Sequence, residues 1–167
     1  ILDSAWRAAG SEVKSAMGST GPLPEHCELT AVMHERIGVD GQHYAIHFHL
    51  RLPGHWNGRM FFEGGGGTEG EIGTAIGFVQ PGVPPAIARG YAVVSQDAGH
   101  DNSTNSVPGR GGAAAFGFDP QARADYGGAS LKPVAVAAKA IIGIYYAHPA
   151  TRTIAGEFQR CTIRRCT

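Results

Sequence analysis

The chain has 167 residues, with 14 basic against 14 acidic side chains and a formal net charge of zero. That length is one domain with enough chain to bury a core, and zero charge without a Lys/Arg block before the last eight residues argues against nucleic acid and anionic membrane as partners. No apolar run approaches the roughly 20 residues that span a bilayer, and the 25 Gly and 10 Pro are spread among apolar segments, as in a loop-rich globular protein rather than a disordered one.

The chain opens at Ile1 with no charged and apolar leader, so any targeting segment is expected to have been removed or left out. Residues 2–17 read as a short helix with Leu2, Trp6 and Ala9 on one side, ended by Gly18 and the Gly21-Pro22 and Leu23-Pro24 breaks. From Cys27 to His34, Leu29, Ala31 and Met33 share one face, and Asp40-Gly41 centres a turn, which predicts a hairpin. Its second strand alternates cleanly. Tyr44, Ile46, Phe48, Leu50 and Leu52 face one way and Ala45, His47, His49 and Arg51 the other. His47 and His49 could share a metal, but no Cys, Asp or Glu sits at ligand spacing nearby, and a solvated or aromatic-packed His pair is the commoner outcome.

Arg59-Met60-Phe61-Phe62-Glu63 predicts a short buried strand, and it runs into Gly64-Gly65-Gly66-Gly67-Thr68-Glu69-Gly70. Bare backbone at a strand end lets N–H groups approach a ligand with no Cβ in the way, so the loop suits either a phosphate or the oxyanion of an acyl-transfer intermediate. A flexible turn between strands is the plain alternative. Gly65-x-Gly67-x-x-Gly70 matches the dinucleotide fingerprint, yet Glu69 and Glu71 would face the pyrophosphate and residues 71–77 open no amphipathic helix. No Gly-Lys-Ser/Thr follows, which excludes a P-loop.

Ala86–Arg89 reads as a helical turn and Tyr91–Gln96 as a second buried strand, ending in Asp97-Ala98-Gly99-His100-Asp101-Asn102. Asp97, His100 and Asp101 invite a catalytic reading with Ser95 as nucleophile, but Ser95 lies inside the strand without a sharp exposing turn, and side chains that order a loop fit better. Residues 103–128 form a long connection anchored by Phe116, Phe118 and Tyr126, with Asp119-Pro120 as a turn or helix start. Ser130 as N-cap, Pro133 in the first turn and an Ala/Ile-rich run to Tyr146 predict a largely buried helix. Strand, loop, strand, long loop, helix is the rhythm of an α/β sheet, so a strand should follow.

Five segments in order carry a resemblance. Leu23-Pro24-Glu25-His26-Cys27-Glu28, Trp56-Asn57-Gly58-Arg59, Phe62-Glu63-Gly64-Gly65-Gly66-Gly67-Thr68, Gly99-His100-Asp101-Asn102 and Phe116-Gly117-Phe118-Asp119-Pro120-Gln121-Ala122-Arg123 together resemble the tannase and feruloyl esterase family, which includes hydrolases of mono-hydroxyethyl terephthalate. The resemblance implies a partial α/β-hydrolase fold, the N-terminal half of the sheet with its flanking helices. It also implies secretion or a periplasmic location and Ser-His-Asp acyl transfer on a small aromatic ester, with no cofactor inside this chain because the family's lid and its calcium site lie beyond it. The oxyanion N–H maps onto Gly67, with Gly66 supporting the loop. Cys27 corresponds to a half-cystine whose partner lies upstream of Ile1, and is expected unpaired.

The chain also departs from the family pattern. There the helix leads to a strand and then Gly-Cys-Ser-x-Gly-Gly, whereas no serine follows Ser130 here, and Cys161 lacks small neighbours for a sharp turn. Residues 1–146 therefore read as hydrolase domain and 147–167 as a divergent tail, with Cys161 and Cys166, out of frame, truncated or a genuine ending. The chain alone is expected to be inactive, and strand Tyr91–Gln96 to present an open edge suited to self-association. The rival is a non-catalytic binding or assembly module with the glycine loop as an anion site.

Overall fold

The computed structural model describes residues 1–15, 18–19, 21–80 and 82–156. In chain order the strands are β1 (Asp3–Arg7), β2 (Lys14–Ser15), β3 (Gly18–Ser19), β4 (His26–Ile37), β5 (His43–Pro53), β6 (Arg59–Glu63), β7 (Ala92–Gln96) and β8 (Arg152–Gly156). The helices are α1 (Asn102–Asn105), α2 (Pro120–Ala124) and α3 (Leu131–Tyr146), with 3-10 turns at Ala86–Arg89, Pro108–Arg110 and Ala115–Phe118 and a π turn at Asp125–Ala129. Six strands form one mixed sheet in the order β1-β4-β5-β7-β6-β8, and β2 pairs with β3 in a separate two-stranded ribbon.

The expected hairpin is β4 and β5. Its inward residues Leu29, Ala31, Tyr44, Ile46, Phe48, Leu50 and Leu52 are all buried, and the turn closes where Gly38 N–H donates to Gln42 O at 2.8 Å. A register shift between Met33 and Arg36, with His34 at φ 55, bends the far end of β4. β1, β4, β5 and β7 pair antiparallel, then β7, β6 and β8 run parallel. Parallel neighbours need crossovers, and here they lie on opposite faces. Residues 64–91 cross from β6 to β7, burying Ile76, Ile87 and Tyr91 against Phe61 and Val93. Residues 97–151 cross back over β6 to β8, and α3 lays Val134, Ala138 and Ile142 on Met60, Phe62, Val94 and the inner face of the hairpin.

Several expectations need correction. Residues 3–7 are an edge strand, not a helix, and Trp6 is 57% exposed. A helix here would have had only Leu2, Trp6 and Ala9 to bury, whereas the extended chain gains a backbone ladder along β4. β7 is no edge, because β5 and β6 flank it, and among the described residues the sheet edges are β1 and β8. α3 buries a single stripe, leaving Val136, Ile144 and Tyr145 exposed. Ser130 sits at its N-cap position without capping, its Oγ donating to Asp125 O and accepting from Gln96 Nε2. Phe118 is exposed, with Arg110 over its ring, while Phe116 is buried. Asp119 does cap α2, accepting from Ala122 N–H. β8 supplies the strand expected after the helix and lies within the stretch set apart at 147–167. Cys161 and Cys166 lie outside the described residues.

Candidate active site

Adjacent parallel strands whose crossovers leave on opposite faces open a crevice at their carboxyl ends, where open α/β sheets bind ligands. Here that place is the carboxyl end of β6 and β7, and the glycine loop fills it. Gly64 N–H donates to Gly156 O at 2.8 Å, so the loop starts beside the end of β8. Gly66 O accepts from Glu69 N–H at 3.0 Å, closing a turn with Gly67 at its exposed tip. Gly67 has φ 63, and an added Cβ would meet nothing within 4 Å, so the space over its backbone is open.

The far side of the loop is stitched to the end of β7. Gly70 N–H donates to Asp97 O at 3.1 Å, Asn102 N–H donates to Gly70 O at 2.8 Å, and Asn102 Nδ2 donates to Glu69 O. Gly70 has φ 76 and lies so close to Asn102 Oδ1 that a Cβ has no room, which accounts for glycine there. From the other side the Tyr126 hydroxyl donates to Gly67 O at 2.9 Å.

The Asp97–Asn102 segment orders this loop through its bonds to Glu69 and Gly70. Ser95 is buried and spends its hydroxyl on Gly73 O at 2.9 Å. Asp97 is buried, which pushes its carboxyl up, and it accepts from Gly99 N–H and His47 N–H and lies 2.6 Å from His47 Nδ1. Ala98, at φ 61, holds a conformation that L-residues adopt rarely. Asp101 caps α1 through Ser103 N–H. His100 is 1% exposed and stacked on Phe116 with ring centroids 3.9 Å apart. Its nitrogens face the backbone of Ala98 and Thr68 without hydrogen bonds of ordinary geometry, and burial pushes its pKa down, so the ring is neutral at pH 7.

The histidine pair of β5 is divided between two networks. His47 pairs with Asp97, while His49 lies 2.8 Å from Glu28 Oε1 and 3.1 Å from Gly73 O. Glu28 also binds Arg7 and Arg51, and Arg51 reaches His26 Nε2 and Thr74 O. At His49 and Arg51 this face of β5 is thus covered rather than solvated, and burial pushes both His26 and His49 down. Among the described residues no group of three or more His, Cys, Asp or Glu is placed to hold a metal ion. No helix starts at Gly70, and residues 71–80 are irregular, so the dinucleotide fingerprint lacks the helix N-terminus that gives it meaning. A cleft of about 250 Å³ lies elsewhere, at the bulged end of the hairpin beside α1, and no glycine-loop residue lines it. Among the described residues Cys27 has no disulfide partner; it is a half-buried thiol on β4, its pKa raised by burial.

Gly66 and Gly67 therefore come together with Tyr126, Asn102 and Asp97, while Ser95 and the histidine pair turn inward to structural partners. The roles of Tyr126 and Asn102 are not legible from sequence spacing, since each reaches the loop from at least 33 residues away. The only signal was their place in the Gly99–Asn102 segment and the long anchored connection.

The architecture is similar to that of feruloyl esterase B from Aspergillus oryzae, with a TM-score of 0.70 at 18% identity over 93% of this chain and 28% of that one. It is also similar to an esterase from the same organism, with a TM-score of 0.68 at 15% identity and the same coverage. The class is thus an α/β-hydrolase fold, of which this chain forms a part. A family model, tannase and feruloyl esterase, matches residues 27–160, and the chain belongs to that family. It is 43% identical over 150 residues to mono(2-hydroxyethyl) terephthalate hydrolase of Piscinibacter sakaiensis, covering 89% of this chain and 24% of that protein. It is 30% identical over 148 residues to an uncharacterized esterase of Agrobacterium fabrum, covering 86% of this chain and 26% of that one. The chain spans about a quarter of the length of these relatives.

Proposed function

We propose that this chain is the oxyanion-loop portion of a secreted or periplasmic serine carboxylesterase that cleaves small aromatic esters, hydroxycinnamoyl, galloyl or terephthaloyl, by Ser-His-Asp acyl transfer. The observation that carries the reading is the hydrogen bond from Gly64 N–H to Gly156 O. It sets the end of β8, the strand that in this family precedes the nucleophile, beside a glycine loop whose tip has open space above it. An oxyanion forming on an ester carbonyl held there meets the Gly67 N–H, a donor already fixed in place and so free of reorganisation cost as charge develops. Serine attack, proton transfer by histidine and loss of the alcohol are steps for residues outside the 167 described by this sequence, because no serine follows Ser130. The 167-residue chain is accordingly expected to be inactive alone and to need no cofactor.

The test is hydrolysis of methyl ferulate, methyl gallate and mono(2-hydroxyethyl) terephthalate by the longest polypeptide the gene encodes, beside the 167-residue chain. The longer product is expected to turn over at least one ester, and Gly67→Pro, which deletes the N–H and cannot keep the native φ of 63, to cost at least about 10²–10³ in turnover. Turnover by the 167-residue chain itself, abolished by Gly67→Pro, would overturn the inactivity. Binding of ferulate or terephthalate with no turnover by either polypeptide would favour an anion-binding module instead. Reading the gene across the codons for Ala147 to Thr167 distinguishes a shifted frame from a genuine ending.

A further inference from the structure

Four consecutive glycines have no stiffness of their own, yet a donor that stabilises an oxyanion must be held still before the charge appears. The base of the loop is pinned by Gly64 against Gly156 at the end of β8, and by Gly70 against Asp97, just after β7, and Asn102, the first residue of α1. The contact that reaches the tip from another element is the Tyr126 hydroxyl on Gly67 O at 2.9 Å. The Gly67 N–H lies in the Gly66–Gly67 peptide plane, whose carbonyl accepts from Glu69 N–H at 3.0 Å. Fixing Gly67 O fixes the next plane, Gly67–Thr68, and the two holds together limit the φ and ψ rotations of Gly67 that would swing its N–H. Tyr126 is in turn braced from behind. Its ring lies 5.0 Å from Phe116 and 6.1 Å from His100, and Phe116 stacks on His100, whose own ring nitrogens face Ala98 and Thr68. The column runs from the strained turn after β7 to the loop tip, so the hydroxyl is delivered by packed rings rather than by a free side chain.

We propose that Tyr126, braced by Phe116 and His100, is the positioning residue that holds the Gly67 N–H in its oxyanion-binding orientation. The proposal rests on the oxyanion reading of the loop and deepens it. It acts through the loop backbone, and Tyr126 itself need not touch the substrate.

The experiment uses the ¹⁵N-labelled 167-residue chain and its Tyr126→Phe variant, which removes the hydroxyl and keeps the ring. Backbone order parameters at Gly66, Gly67 and Thr68 are measured, and the Gly67 amide shift is followed as phenylphosphonate, a tetrahedral aromatic anion, is titrated in. In the wild-type chain these amides are expected near about 0.85 and in the variant below about 0.6, with Gly64 and Gly70 unchanged. The affinity for phenylphosphonate is expected to fall about 2- to 10-fold, the range for losing one hydrogen bond. Unchanged order parameters in the variant overturn the positioning role whatever the anion does. Loosened amides in a loop whose wild-type Gly67 ignores phenylphosphonate also overturn it, and that outcome assigns the failure to the oxyanion reading rather than to the brace. A general loss of dispersed amide signals would mark unfolding, and Phe116→Leu, which leaves the hydroxyl but removes the ring behind it, then carries the same two readouts with the same criteria.

Discussion

His100 shows how a polar residue can serve as a flat plate. It is enclosed, stacked on Phe116 and lacks ordinary hydrogen bonds from either ring nitrogen. Burial opposes the imidazolium, so its folded pKa lies below the ordinary 6.5, while the unfolded chain takes up its proton near that value. The unfolded state then binds more protons in the interval, and stability rises with pH across it. The contribution is present above about 6.5 and is lost as pH falls below it. His26 and His49 are pushed the same way. His100→Phe keeps the stack and removes the titration. Urea unfolding of this variant is expected to match the parent within about 1 kcal/mol at pH 7 and to lose less stability between pH 7 and 5 than the parent, the remaining slope being set by His26 and His49 against the raised carboxyls of Glu63 and Asp97, which act in the opposite sense. A parallel pH dependence in variant and parent would mean that His100 is not the group being titrated.

At the scale of elements, α3 is a surface helix with one inward stripe. Ile142 is fully buried against the hairpin and β6, whereas Ile144 is 84% exposed. The same substitution at two positions two residues apart should therefore give very different results. Ile142→Ala is expected to cost about 2–5 kcal/mol, from lost transfer energy plus the cavity, and Ile144→Ala to stay within about 0.5 kcal/mol. Equal losses in urea unfolding would mean that the outer face is covered in solution. The sequence made the helix legible through its end signals and composition, but Val136, Ile144 and Tyr145 are as apolar as the buried stripe, so composition could not say which side faced the sheet. The period-2 run from Tyr44 to Leu52 was legible because burial on one face writes directly into alternation. β1 was not, since what holds it is a backbone ladder, and a backbone ladder leaves no side-chain pattern. The glycine loop was legible as chemistry because a run of bare backbone has few uses. Its anchors were not, because His47 meets Asp97 across 50 residues and Tyr126 meets Gly67 across 59.

Strand order belongs to the whole molecule, and it decides how the chain should unfold. With β7 between β5 and β6, the antiparallel and parallel halves of the sheet are joined at its centre. The two cores are joined there as well. In β6, Met60 and Phe62 enter the α3 side while Phe61 enters the other, and in β7 Val94 and Val93 divide in the same way. Neither layer can be lost without exposing the backs of the strands that the other layer needs, so the sheet should melt as one unit. With Trp6 on the edge strand replaced by Phe in every protein compared, Trp56 reports on the α3 side, stacked 4.1 Å from Tyr146 and 4.9 Å from His148, while far-UV circular dichroism reports on the whole backbone. Their urea midpoints are expected to coincide, and Phe61→Ala, made on the opposite face from Trp56, is expected to lower both together by about 3–5 kcal/mol of stability. If the fluorescence midpoint stayed in place while the backbone signal moved, the α3 layer would be stable without the other core. An open edge at β7 would have allowed that separation, and the flanked β7 of this sheet does not.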